Sequence, residues 1–458
     1  MLFSTQPFLL IFLPLTLLCF WCVSEHQRLR QSVLILSSLI FYGLWNWRYV
    51  PALILLSAIN WWCGQKHATG GSKLWPVSCI ILDLAILAFC KYANFFAATA
   101  DDLIGAHHTP WEIILPLGLS FFVFQKISYL ADTIKGDKTR YGFPEFLEFV
   151  TFFPQLIAGP IVRHNEIIPQ FREKLSATLM WENIGRGLVL LIIGLCKKSA
   201  IADSMGSIVT PLYDQAASGV MLTAAQAWLA ATAYTLQIYF DFSGYSDMAI
   251  GMALMFGLKL PFNFNKPYCS TSISEFWRRW HMTLSRFLRD YIYIPLGGNR
   301  HGMGRQCCNL LITMGLGGLW HGAGWTFIAW GGMHGSALAI GHLWKLLDRP
   351  LPKLLGWFLT IIFVIVAWVF FRAPDFRTAA NVLTAMTGLH GIGHQHIRDA
   401  IIFWGAIVIA LVGPASQTVA LQKLKPSPIY AIIAALALVA LIFLIGGRIP
   451  DPFIYFQF

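Results

Sequence analysis

The chain has 458 residues, of which 57% are hydrophobic and only 12% charged, about half the charged fraction of an ordinary soluble domain. That composition excludes a soluble globular enzyme and requires a polytopic membrane protein. The net charge of +11 belongs to short loops that set orientation, not to a nucleic-acid surface.

The first apolar stretch, Phe8–Val23, has no basic leader and no small-x-small cleavage site, so it reads as a span and not as a signal peptide. Further spans are expected at Val33–Trp47, Val50–Trp62, Leu74–Phe96 and Ile113–Ala131. Phe146–Pro160 is apolar but interrupted by Pro154 and closed by Gly159-Pro160, which suggests a re-entrant or protein-buried piece. Spans follow near Leu188–Ser199, Ala227–Phe240 and Met248–Leu260, then near Leu310–Trp320 and Thr326–Trp344. The last three lie near Leu354–Phe371, Ile401–Val412 and Ile429–Ile445. Because several are too short for a full crossing, the expectation is about eleven spans plus re-entrant pieces.

The basic loops Ser24–Gln31, Gly64–Lys73 and Ile134–Arg140 alternate with the acidic Ala100–Glu112. By the excess of Lys and Arg in cytoplasmic loops, the first three face the cytoplasm and the amino terminus lies outside. The nine cysteines include one C-x-x-C, Cys19 and Cys22, inside an apolar run with no second pair. This is not a metal pattern. No soluble domain or repeat interrupts the chain. It reads as one membrane-embedded domain over 1–458, with N-terminal spans in 1–136, a core in 137–373 and C-terminal spans in 374–458.

Against this background the run Ser270–Gly302 is unusual in its arginines, histidine and aromatics. Ser272 and Glu275 form a capping box that starts a helix, and Pro295 with Gly297-Gly298 ends it. On a single helical wheel Phe276, Trp277, Trp280, Leu284, Phe287, Leu288 and Tyr291 fill an arc of roughly 120°. Arg278, Arg279, Arg286 and Arg289 fall on the other side, the pattern of a helix lying in the membrane interface. His281 falls at about 140°, at the seam between the faces. From periodicity alone, a helix that merely binds anionic headgroups accounts for the same pattern.

A second constellation, Met314–Gly335, sets His321 and His334 among glycines and tryptophans. The glycines Gly315, Gly317, Gly318, Gly322 and Gly324 allow close helix approach. An ionisable group at membrane depth is a functional hypothesis by default, and a neutral histidine can act as a general base. Packed histidines are the alternative. A third cluster, Tyr239–Gly251, places Asp241 and Asp247 beside an apolar run, with Ser243-Gly244 expected to break a helix. Asp83 and Lys91 lie in one span and read as a structural pair reaching other helices. No G-x-S-x-G elbow supports a serine hydrolase.

Taken in order, the blocks "PFNFNKPY" (Pro261–Tyr268), "EFWRRWHMTLSRFLRDYIYIPLGGNR" (Glu275–Arg300) and "GLWHGAGWTFIAWGGMHG" (Gly318–Gly335) resemble the membrane-bound O-acyltransferase family. The branch resembled is the one that O-acetylates exported bacterial polysaccharides such as alginate or cellulose. "FFPQLIAGPIVR" (Phe152–Arg163), "DFSGYSDMAIG" (Asp241–Gly251) and "WVFFRA" (Trp368–Ala373) fit as well. The resemblance implies an all-α transmembrane bundle around a central tunnel in a bacterial inner membrane. It implies His321 as the catalytic histidine and His281 as the second active-site residue. His321 would act as a base on an acceptor hydroxyl or take the acyl group transiently; His281 would orient or polarise the reacting group. It further implies a cytoplasmic acyl donor such as acetyl-CoA, no bound cofactor, a polysaccharide acceptor and a periplasmic partner protein. On this reading Arg278, Arg279, Arg286 and Arg289 attract the donor, and Trp280, Trp320, Asp241 and His334 wall or orient the site. A transporter of acyl groups or lipid-linked sugar, or a scaffold for a separate acetylase, would use the same residues differently.

Overall fold

In lipid, each backbone N–H and C=O must find a partner within the protein, and a helix satisfies them segment by segment. The computed structural model describes residues 2–106, 109–157, 159–397, 399–425, 427–447 and 453–456, and every regular element among them is helical. The chain divides into two compact units.

The first unit comprises Met1–Ile192, Tyr245–Pro261 and Pro426–Pro450. Its helices are α1 (Leu13–Cys22, preceded by a wide turn over Phe8–Phe12), α2 (Gln27–Asn46), α3 (Val50–Ala68) and α4 (Leu74–Ile104). They continue with α5 (Leu119–Ile134), α6 (Phe143–Thr151), α7 (Phe153–Leu156), α8 (His164–Arg172) and most of α9 (Ala177–Leu195). Phe3, Phe8, Phe12, Phe41 and Phe153 form its aromatic centre, with ring centroids 5.1–5.7 Å apart along the chain of contacts from Phe3 to Phe153. The apolar segment at Phe146–Pro160 is indeed broken: α6 stops at Thr151 and α7 is a single turn. Arg172 grips Glu145 with two bonds of 2.6 and 2.8 Å, ties α8 to α6, and holds that carboxyl below its usual range. Asp83 pairs not with Lys91 but with Lys126 of α5, at 2.7 Å with both side chains fully buried, and Asn60 also donates to it at 3.3 Å.

The second unit comprises Ile193–Gly244, Phe262–Lys425 and Asp451–Phe458. It contains α10 (Asp203–Ala217), α12 (Ile273–Trp277), α13 (Met282–Leu288), α14 (Gly302–His321) and α15 (Trp325–Lys345). It also contains α16 (Lys353–Arg372), α17 (Phe376–Met386) and α18 (Ala400–Leu411); α19 (Pro428–Gly446) belongs to the first unit. Between α10 and α12 runs α11 (Ala224–Met255), a single helix over the span expected at Ala227–Phe240 and the first part of that expected at Met248–Leu260. The expected break at Ser243-Gly244 is absent. The bare Cα of Gly244 instead admits a neighbouring segment, since a Cβ there would sit 2.7 Å from the Gly194 carbonyl. Helix α4 likewise runs through to Ile104 and takes in the start of the acidic loop.

Among the described residues, four helical stretches are long and apolar enough to cross a membrane: Gln27–Ala68, Leu74–Ile104, Lys353–Arg372 and Pro428–Gly446. Phe8–Cys22 and Ala400–Leu411 are shorter apolar helices. These are fewer than the eleven or so spans expected, since most of the other expected windows fall on helices that are shorter or less apolar; α8, α10 and α17 lie outside the windows because each mixes polar residues into a short amphipathic segment.

Candidate active site

Helix α14 ends on His321 because Gly322 turns the chain into extended conformation, and α15 restarts three residues later behind Gly324. The two helices close on each other through glycine. A Cβ on Gly318 would strike the Phe327 carbonyl, and one on Gly331 the Met314 carbonyl. The hairpin so formed buries the His321 ring, leaving the residue 3% exposed. Its walls are Trp320 and Trp330, at 4.8 and 5.1 Å between centroids, and Phe371 of α16 at 5.2 Å.

His281 does not lie on one continuous helix. The expected wheel over Phe276–Tyr291 is broken: α12 ends at Trp277, the chain bends, and α13 begins at Met282. His281 occupies the bend with φ +41° and ψ +53°, a left-handed conformation that costs a non-glycine residue about 1–2 kcal/mol. Such strain persists only where surrounding structure over-determines it. Here the segment after α11 does so. The Asn263 carbonyl accepts from Met282 N–H at 3.0 Å, and Asn265 N–H donates to the Arg279 carbonyl at 2.9 Å. The Asn263 side-chain oxygen accepts from Thr283 N–H and Oγ1, and lies 3.1 Å from His281 Nδ1. The start keeps half of the expected box: Ser272 Oγ accepts from Glu275 N–H, while the Glu275 carboxylate accepts from the N–H of Thr271 and not of Ser272. The wheel's division survives the break only in part: Phe276, Trp277, Trp280, Leu284, Phe287 and Leu288 are buried and Arg278 and Arg289 exposed, while Arg279, Arg286 and Tyr291 are half-buried.

The bend brings the fully buried His281 ring to 6.5 Å from that of His321, with Trp320 at 6.1 Å. Phe242 of α11 covers it edge-on at 4.6 Å. Completing the enclosure is a residue the sequence reading did not select. Tyr455, from the short carboxy-terminal segment, stands 5.3 Å from His321 and 4.7 Å from Phe242. Nothing local in "FIYF" marks it, because its role depends on an anchor two hundred residues earlier in the chain. That anchor is Asp241, whose Oδ2 accepts from Ile454 N–H at 2.7 Å while Oδ1 pairs with Lys198 at 2.9 Å. Lys198 also reaches Asp203 at 2.8 Å.

The remaining residues take other positions. Trp280 packs into an aromatic cluster with Phe264, Phe276 and Trp368, at 5.0, 5.6 and 5.0 Å. His334 receives the Trp277 indole N–H on Nδ1 at 3.2 Å and is enclosed by Trp330 and Phe363. Since an indole only donates, this nitrogen carries no proton and the ring is neutral. Of the arginines, Arg279 is bound by Glu275 at 2.8 Å and Arg289 by Asp290 at 2.7 Å. A cavity of about 480 Å³ opens among Trp277, Arg289, Gln306, Met314 and His342. Of its lining residues, Trp277 donates to His334 and Met314 lies on α14, the helix that ends at His321. No cluster of metal-ligating side chains occurs among the described residues.

The sequence model of the membrane-bound O-acyltransferase family matches residues 117–378. A peptidoglycan O-acetyltransferase of Helicobacter pylori is 40% identical over 433 residues, covering 87% of this chain and 82% of that protein. A probable alginate O-acetylase of Azotobacter vinelandii is 40% identical over 398 residues, covering 84% and 78%. A teichoic acid D-alanyltransferase of Streptococcus thermophilus is 29% identical over 280 residues, covering 56% and 68%.

Proposed function

Because this chain belongs to the membrane-bound O-acyltransferase family, we propose that it takes an acetyl group from a cytoplasmic thioester, acetyl-CoA, and passes it across the bacterial inner membrane for O-acetylation of an exported polysaccharide. Alginate, cellulose and peptidoglycan are the acceptor classes to test first, the first and last because two relatives carry them in their names. About eleven crossings with the amino terminus on the periplasmic side complete this reading, together with a periplasmic partner that carries the acetyl group to the polymer.

The observation that carries the proposal is the pair of buried histidines, 6.5 Å apart inside an aromatic enclosure. In the reaction a hydroxyl oxygen attacks the thioester carbonyl, the C–S bond breaks, and the hydroxyl proton leaves through His321 to the departing thiolate. His321 is the general base, a role worth about 10²- to 10⁴-fold, and His281 orients the reacting group. Aromatic walls exclude water, which would otherwise hydrolyse the thioester. Arg278 and Arg286 offer planar forks for donor phosphates, and the cavity beside Arg289 is the proposed seat of the donor. Arg279 and Arg289 contribute less, being held by Glu275 and Asp290. Trp280 and His334 support the site from behind.

The test is transfer of radiolabelled acetyl groups from acetyl-CoA by the purified chain with its acceptor. A new ester supports an acyltransferase; transport of the label without ester formation would refute the proposal in favour of a carrier.

A further inference from the structure

The bend that holds His281 also determines which of its nitrogens bears the proton. Asn263 Oδ1 faces three hydrogen-bonding groups: Thr283 N–H at 3.3 Å, Thr283 Oγ1 at 2.9 Å and His281 Nδ1 at 3.1 Å. A backbone N–H only donates, so the Asn263 atom it meets is the carbonyl oxygen and not the amide nitrogen. That oxygen is an acceptor, so the nitrogen beside it must donate, and His281 carries its proton on Nδ1. In the neutral ring Nε2 is then a lone pair. Nε2 is buried and has no hydrogen-bond partner among the described residues. The ring it belongs to faces Trp320 and His321, and of the aromatic rings packed against it among the described residues His321 is the titratable one. Asn263 is itself buried, at 1% exposure, and its backbone carbonyl holds the next residue of the bend.

We infer that Asn263 is a positioning residue that locks His281 in the Nδ1–H form, so that Nε2 serves the reaction as a proton or hydrogen-bond acceptor and not as a donor. This deepens the proposed reaction and rests on His281 acting in it. It also decides between the two roles open to His281 on the sequence alone. A neutral histidine presenting a lone pair orients a hydroxyl by accepting from it; it does not polarise a carbonyl.

The proposal is tested on the full-length chain in membranes, in two arms. ¹⁵N-histidine solid-state NMR, with the His281 resonances assigned by their loss in His281→Gln, should show a protonated Nδ1 and a bare Nε2. In Asn263→Ala, or in the milder Asn263→Ser if the alanine variant does not fold, this signature should be lost. A protonated Nε2 in the unaltered protein would overturn the inference whatever the activity. In the second arm, Asn263→Asp places a carboxylate against the Nδ1 proton. It favours the imidazolium and should move the acid limb of acetyl transfer upward by about one to three pH units. An unmoved limb, with His281→Ala inactive, overturns the inference and leaves the proposed reaction standing. If His281→Ala transfers acetyl normally, the reaction assigned to His281 fails, and the NMR arm still judges the proton's position.

Discussion

The carboxylate of Asp241 holds the backbone N–H of Ile454 at 2.7 Å, and this bond helps fasten the carboxy-terminal segment beside His321. A buried hydrogen bond to a charged group contributes about 1.5–3 kcal/mol. Asp241→Ala should therefore release the segment and lower O-acetylation roughly ten- to hundredfold, by the same free energy, while the helices stay intact. Truncation before Phe453 should match that loss. Full activity in either variant, measured as ester content of the exported polymer, would show that Tyr455 is not part of the enclosure.

His321→Ala should reduce acetyl transfer by about 10²-fold or more, the scale of a lost general base, with normal insertion and helix content. Polymer acetylation near the unaltered level would remove His321 from the mechanism.

The arginines should not behave alike. Arg279 spends its charge on Glu275 at 2.8 Å, so Arg279→Ala should change donor affinity little and mainly loosen the start of the bend. Arg278 is exposed, and together with Arg286→Ala its loss should weaken binding of acetyl-CoA, with the effect shrinking as salt is raised. Unchanged donor affinity in the Arg278 and Arg286 variants would argue that the face only anchors to lipid.

Lys126 and Asp83 form a fully buried pair in the first unit. Removing one partner strands a charge and should cost about 3–5 kcal/mol, whereas replacing both by apolar residues is close to neutral or stabilising. Lys126→Met should thus express poorly and Lys126→Met with Asp83→Leu should recover. Failure of the double variant to recover, followed by thermal unfolding in detergent, would show that the pair has a role beyond its own charges.

Trp280 is fully buried among Phe264, Phe276 and Trp368. Trp280→Ala should lower stability by about 3–5 kcal/mol, and Trp280→Phe should keep most of the activity. A Phe variant that folds but does not transfer acetyl would place the indole in the reaction itself.

Much of this was legible in the chain. Runs of apolar residues long enough to hide their backbone in lipid identified the helices, and the "RRWH" and "LWHG" blocks singled out His281 and His321. The N-cap at Ser272 was equally plain, since a cap is a matter of three residues. Periodicity failed at His281 for a physical reason: a wheel assumes one helix, and a left-handed residue in its middle resets the phase. The pairing of Asp83 with Lys126 instead of Lys91 was similarly out of reach, because charge alone does not say which helices are neighbours.

Composition and spacing by themselves determined that the protein is a helical membrane protein, and the resemblance of its successive motif blocks pointed to the family that the comparisons show. Only the tertiary structure decided what surrounds the two histidines. The contacts that orient them come from Asn263, Phe242, Phe371 and Tyr455, each on a different segment. Local sequence governs how a segment coils and where it starts and stops. Which nitrogen carries a proton, and which tail closes a site, depends on atoms that meet only after the chain has folded.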